Sequence, residues 1–334
     1  MPRICDNKKH KGEEEFEKSL RPVSLKDYVG QENLKNNLKI FIGAARFRDE
    51  VLDHVLFYGP PGLGKTSLAH IIANEMGGNI KTVNGPSIER PGDLASILTS
   101  LDPGDILFID EIHRLPTPVE EILYSAMEDF KLDIVVSKET SASNMSIVLP
   151  PFTLVGATTR AGLLSPPLRS RFGIIERVNF YTEEELSLIV KRTSNYFGCT
   201  IDEVSAHEIA KRARGTPRIA NRIFKRVRDF ANYNNSNDIN LNDTRSALDA
   251  LRIDEIGLDE VDIKYLLTLK NRFDCGPVGL DTVASAIGED ASNFEEVYEP
   301  YLLKIGLIDR TPKGRILTTK GKTHLKTVKE IFTM

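Results

Sequence analysis

The sequence predicts a parallel α/β domain with a glycine-rich loop, followed by a small helical domain and a C-terminal winged-helix domain. Three observations support this prediction. The glycine-rich turn Gly59–Ser67 lies between an apolar run typical of a buried strand and a helical segment. A second apolar run ends in the acidic pair Asp110 and Glu111. Residues 254–334 have the pattern of three helices and a β-hairpin, which is the organisation of a winged helix.

Length and composition set the first bounds on domain number and compartment. Because 334 residues exceed the usual length of one domain, length alone suggests two or three. The pattern along the chain predicts three, at residues 1–181, 182–253 and 254–334. Residues 1–19 are polar and charged, so we expect a solvated, mobile arm there rather than a signal peptide or an anchor. No apolar run is long enough to cross a bilayer, and the three cysteines lack metal-ligand spacing. We therefore expect a cytoplasmic protein with free thiols and no membrane partner.

The turn Gly59–Ser67 fits the spacing of a phosphate loop, G-x-x-x-x-G-K-[ST]. Glycines such as Gly62 and Gly64 let backbone N–H groups approach phosphate oxygens without a Cβ in the way. Lys65 is placed to reach the β- and γ-phosphates, and the Thr66 hydroxyl to bind Mg²⁺. A chance glycine-rich turn is the alternative, but the strand before it and the helix after it argue against that. The turn predicts that a nucleoside triphosphate binds here.

The acidic pair Asp110 and Glu111 follows the apolar run Ile106–Ile109, which predicts a buried parallel strand. In open α/β sheets, ligands gather at the carboxyl ends of the strands. Asp110 is therefore a candidate for the Mg²⁺ site, and Glu111 is a candidate base that polarises an attacking water. The alternative is an acidic strand-to-loop junction without chemistry. His113 fits a structural or switch role better than acid–base chemistry.

The stretch from Phe130 to Leu154 predicts a β-hairpin. The polar run at residues 137–144 predicts a long tip. Apolar residues on the returning strand, such as Met145 and Ile147, either pack on the core or dock a partner, and the sequence leaves both alternatives open.

The next apolar run, Phe152–Arg160, predicts a third buried strand, and it ends in hydroxyl side chains. A hydroxyl there could bond the γ-phosphate or the attacking water. Arg171 follows at the end of a short helical segment. It is either an ordinary surface residue or an arginine finger supplied to a neighbouring subunit's phosphate. Three strands with helical crossovers predict the parallel α/β domain.

After Thr182, a helix N-cap candidate followed by three glutamates, the chain becomes wholly helical. Pro217 lies in the first turn of one helix, so Arg218 stands near its N-terminus. Arg218 could face the nucleotide, or it could be one more charge on a basic helix. The expected helices are roughly residues 183–197, 205–214, 216–233 and 241–251.

Charge is polarised within the predicted winged helix, although the whole chain carries a net charge of only −4. Residues 254–303 hold 3 Lys/Arg against 12 Asp/Glu, whereas residues 304–334 hold 8 against 2. The basic stretch contains the hairpin. Arg310, Lys313 and Arg315 are either a solvated charged face or contacts to DNA phosphates, and their position on a wing favours phosphate contacts.

Taken together, the phosphate loop, the acidic strand end, the threonine-ended strand, the arginine and the helical lid resemble the AAA+ ATPases. A narrower resemblance, to the bacterial RuvB family of Holliday-junction branch-migration motors, covers nearly the whole chain after the first ~19 residues. The segments that carry it are LRPVSLKDYVGQE, LFYGPPGLGKTSLAHIIANEMG, LFIDEIHRL, MEDFKLDI, LPPFTLVGATTRAG, LRSRFGI and GTPRIANR.

The resemblance implies an ATP-hydrolysing subunit that forms ADP and phosphate with Mg²⁺ as cofactor. It implies a homo-oligomeric ring, expected to be a hexamer, on double-stranded DNA. It implies branch migration of Holliday junctions in recombination and DNA repair, within the SOS response. RuvA is the expected protein partner, and RuvC is a further candidate.

The resemblance also implies roles for single residues. In the nucleotide site, Lys65, Thr66 and Ser67 bind phosphate and Mg²⁺, Asp110 belongs to the metal site, and Glu111 is the catalytic base. Thr158 is the first sensor, Arg171 the finger acting in trans, and Arg218 the second sensor. Further nucleotide contacts are expected at Leu20, Arg21, Gly62, Gly64, Glu128, Asp129, Phe130 and Tyr181.

On the remaining surfaces, the resemblance implies that the hairpin docks RuvA through Met145 and Ile147. It implies that Arg310 and Arg315 touch the DNA backbone, with Lys313 beside them. The returning strand of the hairpin is more apolar than is usual in the family, so partner affinity or specificity is expected to differ.

Two rivals come from other classes of ATPase. A clamp-loader subunit is expected to carry a serine-arginine-cysteine finger and a collar domain, whereas Ser170-Arg171 is followed here by Phe172 and a wing is expected. A replication initiator is expected to read bases, whereas this wing offers mainly cations suited to phosphates.

Overall fold

A computed structural model describes residues 5, 17, 19–138 and 141–327, and the side chains of residues 134–145 lie outside that description. The described residues form two compact units. One comprises residues 21–59 and 64–179, and the other comprises residues up to 20, residues 60–63 and residues from 180 onward. Among the described residues, no helix combines the length and apolar character that a membrane span requires.

The first unit contains a five-stranded sheet whose neighbouring strands all run parallel. The unit has seven strands, β1 (Val55–Tyr58), β2 (Ile80–Asn84), β3 (Ile106–Asp110), β4 (Lys131–Lys138), β5 (Ser141–Val148), β6 (Thr153–Thr158) and β7 (Ile174–Arg177), and all but β4 and β5 belong to this sheet. The order across the sheet is β2-β3-β6-β1-β7. The three strands predicted from apolar runs are β1, β3 and β6, and they form the buried centre of the sheet.

The two edge strands, β2 and β7, were not predicted. Every side chain of β2 is half-buried or exposed, and β7 mixes buried with exposed positions. Because neither strand carries a continuous apolar run, the sequence pattern does not distinguish them from loops. The helices of this unit are α1 (Glu32–Arg48), α2 (Lys65–Met76), α3 (Pro91–Leu98), α4 (Thr117–Glu128) and α5 (Pro166–Ser170).

The predicted hairpin is formed by β4 and β5, which pair antiparallel from Lys131 opposite Val148 to Lys138 opposite Ser141. The long tip predicted at residues 137–144 is therefore wrong, because strand pairing continues through most of that polar run. Leu132 and Leu149 are buried in the core of the unit, and Ile147 packs against the same core. The side chain of Met145 lies outside the described residues, so its predicted docking role is not addressed by the structure.

The second unit begins with a helical segment made of α6 (Glu183–Tyr196), α7 (Glu203–Arg212), α8 (Pro217–Tyr233) and α9 (Leu241–Ala250). Two short parallel strands, β8 (Thr200–Ile201) and β9 (Asp238–Ile239), join its loops. Helix α7 begins two residues before its predicted start because Asp202 caps it, accepting the Ser205 N–H at 2.6 Å.

The same unit continues into a winged helix. Its elements are α10 (Glu260–Arg272), α11 (Leu280–Ile287), α12 (Ala291–Asn293), a π-helical turn (Phe294–Tyr298), α13 (Glu299–Lys304), β10 (Ile308–Thr311), β11 (Gly314–Leu317) and α14 (Thr319–Thr327). The sequence predicts the third helix of the winged helix from Phe294 to Ile305; this stretch is helical as far as Lys304, but its first five residues form a π turn rather than an α-helix. Pro300 lacks an N–H, so it cannot continue the α-helical bonding of the preceding turn.

A buried ion pair joins the helical and winged-helix segments of this unit. Arg214 and Asp262 are 2% and 0% exposed, and Arg214 Nε also donates to the Gly257 carbonyl at 2.6 Å. Cys5 is only 1% exposed, which differs from the solvated arm expected at residues 1–19. Burial raises the pKa of the Cys5 thiol to about 12, so the thiol is protonated at neutral pH.

Candidate nucleotide and DNA sites

The glycines of the predicted phosphate loop adopt backbone conformations that other residues rarely reach. Gly59, Gly62 and Gly64 have φ values of 146°, 80° and 94°. A Cβ at Gly59 would clash with the carbonyl oxygen of Val178. These positions therefore need glycine, and the turn can present its N–H groups to an anion at the start of α2.

Lys65 is the first residue of α2 and is 6% exposed. Its Nζ donates to the Gly59 carbonyl at 2.7 Å, so the ammonium lies within the curve of its own loop. Thr66 and Ser67 follow in the first helical turn and are half-buried. The loop thus brings together the cation and the hydroxyls that phosphate and Mg²⁺ require.

The acidic pair lies at the carboxyl end of β3, as predicted. Asp110 is the last residue of the strand, and its Oδ1 accepts the Glu111 N–H at 3.1 Å. Glu111 has a φ of 50°, an uncommon value for a residue other than glycine. This left-handed turn redirects the chain directly after the strand, and strained backbone of this kind often occurs at functional sites.

The residues present fit a magnesium ion. Carboxylate and hydroxyl oxygens, such as those of Asp110 and Thr66, are the ligands that Mg²⁺ prefers. Among the described residues, no group of three or more His, Cys, Asp or Glu side chains is arranged for a metal. Mg²⁺ does not need such a group, because it usually keeps waters and binds one or two protein oxygens together with substrate phosphates.

Hydrogen bonds tie Glu111 to the end of β6. Thr159 Oγ1 donates to Glu111 Oε2 at 3.2 Å, and His113 Nδ1 lies 3.3 Å from the same oxygen. Thr158 is fully buried, and its Oγ1 lies 2.9 Å from His113 Nδ1 and accepts the Arg160 N–H at 3.0 Å. Of the two threonines at the end of this strand, Thr159 rather than Thr158 contacts the candidate base.

The candidate finger Arg171 follows α5 and its side chain is 18% exposed. Its guanidinium carbon lies 4.4 Å from the centroid of the Tyr124 ring. One Nη donates to the Pro167 carbonyl at 2.8 Å, and the other to Glu128 Oε2 at 3.1 Å. Arg171 and Glu128, both implied nucleotide contacts, therefore lie side by side.

The two residues after Glu128 differ in environment. Asp129 is exposed at the end of α4, whereas Phe130 is half-buried and its ring packs edge-on against Phe152 at 5.8 Å. Phe130 therefore supports the core of the unit, whatever further contact it makes.

Arg21, also in the first unit, has an Nη 2.8 Å from His70 Nε2.

Three further implied nucleotide residues, Leu20, Tyr181 and Arg218, lie in the second unit. Arg218 Nε donates to Glu17 Oε1 at 2.7 Å, and its backbone N–H to the Gly62 carbonyl at 3.4 Å. Tyr181 is 5% exposed and its hydroxyl donates to the Leu63 carbonyl at 3.3 Å, while Leu20 is half-buried. The candidate second sensor is thus paired with an acidic residue of the N-terminal arm.

The three cations predicted to contact DNA all lie on the hairpin formed by β10 and β11. Arg310 and Arg315 stand directly opposite each other in the antiparallel register, and Lys313 is exposed in the turn between the strands. Both guanidinium groups bond to the carboxylate of Glu299. In the sequence, Glu299 looks like one more charge in an acidic stretch and carries no signal of this role.

Models of protein families match the chain almost throughout. Residues 20–178 match a model described as the Holliday junction DNA helicase RuvB P-loop domain, residues 181–254 the RuvB AAA lid domain, and residues 255–326 the RuvB C-terminal winged helix domain. The chain belongs to the RuvB family. Membership makes it a P-loop ATPase of the DNA-motor type, and it excludes the clamp-loader and initiator rivals.

Solved structures of RuvB from Thermotoga maritima resemble the chain along most of its length. One, titled as the Holliday junction branch migration motor, is 52% identical, covers 92% of this chain and 98% of that chain, and has a TM-score of 0.84. Two mutants of the same protein are 53% and 52% identical with the same coverage, and their TM-scores are 0.85 and 0.86. Membership of the RuvB family implies nucleotide binding, DNA binding and assembly into a ring.

Proposed function

We propose that this chain is the ATPase subunit of a Holliday-junction branch-migration motor. ATP hydrolysis in a ring of copies would drive double-stranded DNA through the junction, in recombination and recombinational repair. The observation that carries the proposal is the bonded pair of Thr159 and Glu111 at the sheet edge, in a chain that matches RuvB across three domains. Such a carboxylate, held in place by a neighbouring strand, suits the activation of a water.

In the proposed reaction, the loop N–H groups and Lys65 hold the phosphates of ATP. Thr66 and Asp110 would hold Mg²⁺, which when bound neutralises charge on the phosphate oxygens. Glu111 accepts a proton from water as the water oxygen bonds to the γ-phosphorus. The bond from that phosphorus to the β–γ bridging oxygen breaks, and ADP leaves with both electrons of that bond.

The site is completed, in this proposal, by the next copy in the ring. Arg171 would stabilise charge on the transferred phosphoryl group of its neighbour, and Glu128, Asp129 and Phe130 would border the same nucleotide. Arg218, Tyr181, Leu20 and Arg21 would contact the nucleotide held by their own copy. The exposed Glu128 beside Arg171 supports this role, because a trans contact needs a surface that a neighbour can reach.

The proposed partners follow from the same family membership. The hairpin β4–β5 would dock RuvA, through Ile147 and Met145, and RuvC would act at the same junction. A hexameric ring and a cytoplasmic site of action complete the proposal. Ile147 also packs on the core of its own unit, so its substitution would disturb the hairpin as well as docking.

The proposal is tested by ATP-dependent dissociation of a synthetic four-way junction, with and without cognate RuvA. We expect dissociation only with ATP, stimulation by RuvA, and loss of dissociation in Lys65→Ala. A junction that stays intact with ATP and RuvA, while the ring still hydrolyses ATP, would overturn the proposed function. Equal dissociation by Lys65→Ala would show that the phosphate loop does not drive it.

A further inference from the structure

One buried carboxylate, Glu299, organises the arginines of the wing. Its side chain is fully buried at the start of α13. Arg310 donates to Oε2 from Nε at 3.0 Å and from Nη2 at 2.6 Å. Arg315 donates to Oε1 from Nε at 2.8 Å and to Oε2 from Nη2 at 3.2 Å. A single carboxylate therefore receives four N–H bonds from the two arginines.

The opposite side of the carboxylate is fixed by the core of the winged helix. The hydroxyl of Tyr265 donates to Glu299 Oε1 at 2.8 Å. Tyr265 is fully buried, and its ring stacks on Phe294 with 4.7 Å between centroids. Because Tyr265 is locked by packing, Glu299 has little freedom to turn, and the arginines bonded to it share that restriction.

The charge state of Glu299 agrees with this arrangement. Burial alone would raise the pKa of its carboxyl, but hydrogen bonds from Arg315, Tyr265 and Arg310 outweigh burial and leave the pKa below its ordinary value. Glu299 is thus a charged acceptor at neutral pH. Losing it would leave two guanidinium groups without their shared partner.

The two arginines remain within reach of solvent. Their side chains lie on one face of the hairpin, since the residues are directly opposed in register. The Arg310 side chain is 42% exposed and that of Arg315 is 17% exposed. Each guanidinium uses Nε and Nη2 on Glu299, so a phosphate would approach from the Nη1 side. Arg310 Nη1 is also 3.9 Å from Glu295.

We propose that Glu299 is a positioning residue for DNA binding, which holds Arg310 and Arg315 in one orientation so that both can meet backbone phosphates. This inference rests on the proposed role of the two arginines as DNA contacts. Preorganisation favours binding because flexible arginine side chains otherwise lose conformational freedom when they bind. An acidic residue beneath a DNA-binding surface then strengthens binding, although its charge alone repels phosphate.

Whether DNA binding weakens or tightens when Glu299 is replaced distinguishes a positioning role from a purely electrostatic one. If Glu299 acted only through its charge, Glu299→Gln would tighten DNA binding, as removal of an acid near phosphates should. The matched control is Asp309→Asn, which removes one negative charge from an exposed position next to Arg310 on β10. Positioning predicts that Glu299→Gln weakens binding about tenfold whereas Asp309→Asn leaves it equal or tighter.

The experiment titrates labelled duplex DNA with the full chain and a non-hydrolysable ATP analogue over a series of salt concentrations. Arg310→Ala tests the underlying DNA contact and should lower the salt slope by about one. Glu299→Gln should weaken binding while the slope stays near that of the parent chain, because the same phosphates are still contacted. If Glu299 only stabilised the fold, Glu299→Gln would lower the melting temperature, but it would not weaken DNA binding at an unchanged salt slope.

Tyr265→Phe is a second test of the positioning role of Glu299, and it leaves every charged side chain in place. It removes one bond to Glu299, and we expect about threefold weaker DNA binding. If Arg310→Ala weakens binding but Glu299→Gln and Tyr265→Phe bind like Asp309→Asn, the positioning role is wrong and the DNA contact stands. If Arg310→Ala changes neither affinity nor slope, the proposed DNA contact itself is wrong.

Discussion

At the scale of single residues, the candidate base Glu111 depends on its neighbours for its orientation. Thr159 and His113 both reach the same carboxylate oxygen, Oε2. A base that must meet one water gains from such restraint, because proton transfer requires short, aligned contacts. Thr158 lies one step away, beneath His113, and has no described contact with Glu111.

This arrangement predicts different outcomes for the two threonines. Thr159→Val should lower the turnover number for ATP by at least about tenfold and leave nucleotide affinity unchanged, because it loosens the base without touching the phosphate loop. Thr158→Val should instead destabilise the unit by about 1–3 kcal/mol, since it leaves buried polar groups unpaired.

Steady-state ATPase rates, nucleotide titrations and melting curves of the two variants check this prediction. If Thr158→Val keeps the melting temperature of the parent chain but loses turnover, while Thr159→Val stays active, then Thr158 rather than Thr159 is the sensor. His113→Asn can be compared with both threonine variants by the same measurements, since it puts a shorter side chain in place of the imidazole that contacts Thr158 and Glu111.

The sequence predicted the acidic pair but not its partners, and the reason is geometric. An apolar run that ends in two acids marks a strand end by itself. Thr158 and Thr159 are chemically identical neighbours, and successive side chains of a strand point to opposite faces. Which one faces Glu111 depends on where β6 ends, and the sequence does not fix that position. The role of Glu299 is not visible in the sequence because its partners are distant in sequence or lie on another element.

At the scale of elements, His54 joins three segments of the α/β unit. It precedes β1, accepts the Leu154 N–H of β6 on Nδ1 at 2.9 Å, and lies 3.0 Å from the Met127 carbonyl of α4 through Nε2. Because a carbonyl can only accept, Nε2 must carry the proton. The imidazole is therefore neutral in this arrangement, because a second proton on Nδ1 would point at the Leu154 N–H, which is itself a donor.

The stability of this unit should consequently fall in mild acid. Burial lowers the pKa of His54 below its ordinary value of about 6.5. The unfolded chain takes up the proton first as the pH falls, so the contribution of His54 is complete above about 6.5 and is lost below that value.

His54→Gln is the matched variant, since its amide can donate and accept but does not titrate. Urea midpoints measured by circular dichroism at about pH 7.5 and about pH 5.5 should fall further in the parent chain than in the variant. Identical pH dependence in the two chains would show that His54 does not control the acid loss.

Some helices and strands can be predicted from the sequence, and others cannot. Central strands and amphipathic helices have strong apolar patterns, and β1, β3, β6 and the lid helices followed from them. The edge strands β2 and β7 lack such a pattern, and the tip of the hairpin resembles a loop in the sequence because its residues are polar. The π turn before α13 precedes Pro300, which lacks the N–H that α-helical bonding would need, and no hydrophobic pattern signals such a turn.

At the scale of the whole molecule, the proposed ATPase site is one that a single copy does not complete. In the proposed reaction, the phosphate loop, the acidic pair and Thr159 belong to the copy that holds the nucleotide. Arg171 stacks on Tyr124 and pairs with the exposed Glu128 at a distance of 3.1 Å, where a neighbouring copy could reach it. The central claim is that hydrolysis requires residues from two adjacent copies.

Mixing two inactive variants tests this claim most directly. Glu111→Ala lacks the base but supplies a finger, and Arg171→Ala lacks the finger but supplies a base. Each alone should bind ATP, and Arg171→Ala should lose about 10³- to 10⁵-fold in turnover. In an equal mixture, about one quarter of the sites should combine an intact base with an intact finger, so ATPase activity should return to about that fraction of the parent rate. Full hydrolysis by Arg171→Ala alone, or no recovery in mixtures that form rings, would contradict the shared site.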